Sequence, residues 1–211
     1  DFLSETLLVK KIRANSQLMS FVAGVAITYI ILHLLPELYF IGTLAKSYKL
    51  FFIILMSFVL VYLIEKVIYK FLSKRKLESA HKRFHVMYFF LYKFIIGMLL
   101  AFLVTFGMKE LLLFFIPVSL YILVEILPQD FRFNNIGSNV FYSAAPILGT
   151  FWGFYTKINE FFYGVLIAFL IGSLLYLVIK ETVPEKSEGS PLYFLLGIFL
   201  FLIVIIILVG M

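Results

Sequence analysis

The chain has 211 residues, of which 63% are hydrophobic and 14% charged, and its mean hydropathy is +1.06, a balance that excludes an ordinary soluble domain. It contains no cysteine, which removes disulfides, thiolate metal ligands and thiol catalysis. Its formal charge of +6, from 18 basic and 12 acidic residues, fits the cytoplasmic loops of a bilayer protein better than a nucleic-acid partner, because Lys and Arg collect on that side of a membrane.

In chain order, apolar runs of about 20 residues, long enough as helices to cross a hydrocarbon core of about 30 Å, predict seven spans: 18–40, 49–72, 86–108, 111–128, 138–156, 160–180 and 191–210. The expected architecture is an all-α, polytopic transmembrane helix bundle forming one domain over residues 1–211. Pro36, Gly42, Pro128, Gly137, Pro184, Gly189 and Pro191 punctuate the breaks. The polar stretch "PQDFRFNNIGSN" between the fourth and fifth spans has room for a re-entrant segment. Gly149 and Gly153 place a G-x-x-x-G in the fifth span, a spacing that lets helices approach closely. The chain opens at Asp1 without an initiator Met or a signal-peptide pattern, which leaves room for residues upstream.

The basic residues set an expected orientation. Lys66, Lys70, Lys74, Arg75, Lys76, Lys82 and Arg83 crowd the loop 66–85 between the second and third spans, and Lys10, Lys11 and Arg13 precede the first. Alternating crossings put both regions on one side, expected to be cytoplasmic, with the carboxyl terminus outside. Contact with anionic lipid headgroups is the ordinary role of such a loop.

Residues 20–37, "SFVAGVAITYIILHLLPE", return without gaps as "AFLIGSLLYLVIKETVPE" at 168–185, pairing Phe21 with Phe169, Gly24 with Gly172, Pro36 with Pro184 and Glu37 with Glu185. The two copies fall on the first and sixth spans, which cross in opposite directions. That is the pattern of an inverted-topology duplication, found in many secondary transporters.

These stretches resemble the ZIP family of divalent metal ion transporters. "SFVAGVAITYIILHLLPE" is similar to the family's second helix, "FVLVYLIEK" to the end of its third and "AFLIGSLLYLVIKETVPE" to its seventh. The resemblance implies that the chain spans the second through eighth family helices, with the first absent or upstream of Asp1. It also implies a metal centre in the fourth and fifth family helices, built on H-N-x-x-D-G and H-E-x-P-H-E patterns. Here the first pattern falls on "YKFIIG", with Tyr92 at the His position, Lys93 at Asn and Ile96 at Asp, and only Gly97 kept. The second falls on "YILVEI", with Tyr121 and Glu125 at the two His positions and Ile122 and Ile126 at the two Glu positions.

Zinc, iron and manganese want several imidazole or carboxylate groups at about 2.0–2.2 Å, and a two-metal centre cannot be assembled from Glu125 alone. Lys93 lies roughly 10 Å inside its span, counting about 1.5 Å per helical residue, and Glu125 lies at a matching depth. An unpaired charge at mid-helix costs on the order of 3 kcal/mol, so the two are expected to pair, with the Lys93 ammonium where a cation would sit. The alternative is that Lys93 snorkels to the headgroups while Glu125 joins Asp130 and Arg132 at the interface.

Among other polar residues, His33 with Glu37 is a candidate metal-ligating pair at an entry site, against the plainer role of an interfacial hydrogen-bonding histidine. His81 and His85 are spaced for one helix face, but Lys82 and Arg83 would repel a cation, which favours a solvated loop. The 26 Phe and 13 Tyr suit lipid contact and interfacial anchoring. No G-x-S-x-G, H-E-x-x-H or Gly-rich phosphate loop is present, and the chain is expected not to be an enzyme.

The expected function is therefore that of a divergent ZIP-like transporter of divalent cations, working by alternating access with a modified central site. Glu125 and His33 are its candidate metal ligands, and Lys93, Tyr92 and Tyr121 the residues that alter the site. Zn, Mn or Fe is the implied cargo, with no resident cofactor required. The alternative is a transport-inactive membrane protein acting as a structural or regulatory partner, with Lys93 occupying the former metal site. The expected partners are the lipid bilayer and a divalent cation, not nucleic acid; a homodimer or a membrane-protein partner is left open.

Overall fold

A hydrocarbon core supplies no hydrogen-bond partners, so a spanning backbone must satisfy its own groups, and helices do so within one segment. In the computed structural model, which describes residues 16–44, 48–71, 74–126, 136–156, 159–179 and 190–210, every regular element is helical. These are α1 (Ser16–Tyr29), a π-helical turn (Ile30–Leu34) that leads directly into α2 (Leu35–Leu44), α3 (Lys49–Phe71), α4 (Lys74–Leu103), α5 (Met108–Ile126), α6 (Ile136–Tyr155), α7 (Glu160–Leu177) and α8 (Pro191–Val209). Among the described residues, three stretches are long and apolar enough to cross a membrane: Gln17–Thr43, Glu160–Leu177 and Pro191–Val209. Lys49–Leu63 and Phe90–Leu103 are shorter apolar stretches.

Each expected span contains a helix, but several boundaries move. The basic segment is not a loop: residues 66–71 close α3, and Lys74 onward is already helical, running unbroken into the apolar part of α4. Lys, Arg, Glu and Ala are good helix formers, so charge there changes the helix's solvent and not its backbone. Pro36 and Gly42, counted among the residues that punctuate the breaks, both lie inside the rod. The backbone meets Pro36 by widening: the N–H of Leu35 donates to the carbonyl of Ile30, five residues back. Pro117 and Pro146 are likewise held inside α5 and α6. The third span ends at Leu103 and not 108, because Gly107 takes φ +121°, a conformation open to glycine and strained for other residues. Phe106 and Gly107 turn the chain there by donating to the Leu103 carbonyl at 3.0 and 3.3 Å.

The chain forms two compact units that interleave in sequence. One holds 1–37, 103–132 and 177–211; the other holds 38–102 and 133–176.

In the first unit, α1 packs along α8 through a reciprocal pair of glycines. A Cβ on Gly24 would collide with the Phe194 carbonyl oxygen, and one on Gly197 with that of Phe21. Such small-residue crossings let two backbones meet where lipid gives no hydrophobic reward for packing. The N–H of Ser190 donates to Ser20 Oγ at 3.1 Å across this pair. Below the crossing Tyr29 is 1% exposed, edge-on to Phe201 of α8 at 5.9 Å and Phe114 of α5 at 6.4 Å.

The second unit repeats the device twice. The G-x-x-x-G of α6 packs on α4: a Cβ on Gly149 would meet the Phe94 carbonyl, one on Gly97 the Pro146 carbonyl, and one on Gly153 the Ala101 side chain. Gly172 of α7 packs on α3, where a Cβ would meet the Ile54 carbonyl and Ser57 Oγ.

The internal repeat has a counterpart in these contacts. Gly24 meets the carbonyl of Phe194 and the amide of Ile198; its sequence partner Gly172 meets the carbonyl of Ile54 and the amide of Phe58. The pairing that matches Gly24 with Gly172 also matches Ile30 with Val178, and π geometry begins at both positions. Each stretch thus carries a backbone-to-backbone crossing followed by the onset of π geometry, which is described over Ile30–Leu34 in the first and over residues 178–179 in the second.

Candidate functional site

The titratable groups that the fold brings together lie in the first unit, around the π turn. His33 sits within the turn, and its Nε2 is 3.8 Å from Glu37 Oε2 on the same rod and 3.9 Å from Glu110 Oε2 in the first turn of α5. These are ion-pair separations, longer than hydrogen bonds. The imidazole is stacked on Tyr29, with ring centroids 5.4 Å apart and planes 29° apart. The Tyr29 hydroxyl is buried without a hydrogen-bond partner among the described residues.

One imidazole facing two carboxylates is a cation-attracting arrangement, but it is not a finished metal site. For bonds of about 2.1 Å, ligands around a first-row ion stand about 3.0–3.4 Å from one another, so this cluster would have to close by roughly half an ångström. In line with that, no group of three His, Cys, Asp or Glu side chains is arranged to hold a metal among the described residues.

Tyr92 and Lys93 lie in the second unit and are buried on α4, at 0% and 5% exposure. Tyr92 stacks on Tyr88 at 6.4 Å, continuing the stripe of buried residues Tyr88, Tyr92, Ile95, Ile96 and Leu99. Tyr121 is buried at 1% in the first unit, on α5. The backbone of Glu125 belongs to α5, but its side chain, like those of His81 and His85, lies outside the described residues, as do Asp130 and Arg132.

Sequence reasoning put His33 with Glu37 and missed Glu110 and Tyr29. An acid in the first turn of a helix is ordinary, since it complements the helix dipole, and nothing local marks Glu110 as a partner for His33. Tyr29 precedes His33 by four positions, the spacing of neighbours on a helix face, and that signal was available.

Among the described residues the fold is all-helical, with three helices long and apolar enough to span a membrane; His33 and Glu37 lie on one of these, and Glu110 reaches His33 from α5. Compared with protein-family models, with curated proteins and with solved structures, the chain finds no match.

Proposed function

We propose that this protein is a divergent ZIP-like transporter of divalent metal cations that works by alternating access through a modified central site. The observation that carries the reading is the equivalence of the Gly24 and Gly172 crossings, each followed by the onset of π geometry at the same register. Duplicated helices in opposite orientation are the usual framework of secondary transporters, with substrate sites near interrupted helices. The proposal includes seven crossings, the basic segment 66–85 on the cytoplasmic side and Zn, Mn or Fe as cargo. His33, with Glu37 and Glu110, supplies the cation-attracting groups, and Glu125 remains a candidate ligand.

The burial of Lys93 favours a second reading, a transport-inactive membrane protein in which that ammonium fills the former metal site. An uptake assay separates the two. Proteoliposomes holding the folded protein should take up zinc, manganese or iron, and His33→Ala and Glu125→Ala should each lower uptake by tenfold or more. Absence of uptake for all three ions, with Lys93→Asn restoring none, would overturn the transport reading and favour the inactive partner.

A further inference from the structure

Ile30–Leu34 forms a π turn within an otherwise α-helical rod, and π geometry also begins at Val178, over residues 178–179. A π turn amounts to one surplus residue in an α-helix and is frequent at functional sites. Here the α form is denied one of its usual advantages. In an unbroken α-helix the amide of residue 36 would donate to the Leu32 carbonyl, and Pro36 has no N–H to give. Two side chains of the turn, Ile31 at 53% and Leu32 at 39% exposure, face away from the protein, whereas Ile30 and Leu34 are buried. Proline alone does not make the feature, since Pro117 and Pro146 sit within α5 and α6. In both copies, moreover, the π geometry lies beside a point where the chain passes from one compact unit to the other, at 37/38 and at 176/177.

We propose that the Ile30–Leu34 turn is a register switch, in which the surplus residue is absorbed by α geometry in one state and held as the π turn in the other. Converting the turn to α rotates the α2 half of the rod by about 100° relative to α1. His33 lies inside the turn, so the switch moves its imidazole on and off Glu110. This deepens the cation-handling role assigned to His33, yet its test reads backbone register and does not depend on transport.

The chain has no native cysteine, so paired labels are straightforward. Spin labels at Tyr39→Cys in α2 and Met108→Cys at the start of α5, both exposed positions, would be measured by pulsed electron resonance in lipid nanodiscs. A 100° turn on a helix of about 10–12 Å diameter displaces the α2 label by up to about 8 Å. The expected result is two distance populations in the full-length chain. Deleting Ile31, which removes the surplus residue, should leave one of them, and Pro36→Ala should change their ratio at least threefold toward the α-register population. Deleting Val25 from α1, where no residue is surplus, should cost helix content, whereas deleting Ile31 should not. A single population in the parent chain that neither change alters would overturn the switch, as would a chain lacking Ile31 that misfolds as readily as one lacking Val25. Loss of uptake with the two populations intact would count against cation transport and leave the switch standing.

Discussion

At the scale of single residues, the arrangement is set by side chains that are absent or unusually placed. Gly24 and Gly197 work by having nothing beyond Cα, because the atoms a side chain would strike are backbone carbonyls that cannot swing aside. Gly24→Leu is therefore expected to push α1 off α8, costing at least about 2–3 kcal/mol, measured as a fall in the detergent-unfolding midpoint with loss of the monodisperse species. Tyr29 makes the opposite case. Its hydroxyl is buried with no partner among the described residues, and an unsatisfied buried polar group costs about 1–3 kcal/mol. Tyr29→Phe should leave stability unchanged or raise it by about 1 kcal/mol. If the hydroxyl serves the His33 cluster when a cation is present, the same variant should lower uptake at undiminished stability, a split that a purely structural role would not produce.

At the scale of elements, much of the helix pattern was legible beforehand, since seven apolar stretches coincide with seven helical rods. What misled were the punctuation marks. Pro36, counted among the marks of the breaks, lies within the first rod, which absorbs it by widening to a π turn. The basic residues from Lys74 were expected in a loop, yet charge alone gives no reason to leave the helix. Gly107, which carried no weight in the sequence, makes the α4–α5 turn through its positive φ. Nothing lies near its missing Cβ, so Gly107→Ala tests the backbone alone. It should cost about 1–3 kcal/mol in thermal stability without altering the helix content seen by circular dichroism.

At the scale of the whole molecule, the proposed topology places the two ends of the spans on opposite faces of the membrane. Single cysteines replacing Lys109 and Tyr155 should react with an impermeant thiol reagent from one face, and one replacing Lys66 only from the other. All three positions are exposed. Labelling of Lys66→Cys and Tyr155→Cys from the same face would rule out seven alternating crossings.

The sequence by itself determined the helical class of this protein, the apolar stretches that suit a membrane, the lack of cysteine and the recurrence of four residues at one offset in two apolar stretches. These follow from composition and local spacing, which act along the chain. It also placed Tyr92, Lys93 and Tyr121 within apolar stretches, because identity at a position needs no fold to be read. Only tertiary structure decided which residues meet: the pairing of Gly24 with α8 and of Gly172 with α3, the burial of Lys93, and the approach of Glu110 to His33 across dozens of intervening residues. Such contacts depend on where separate helices cross. In a membrane those crossings are settled by close backbone fit, which a run of apolar letters does not encode.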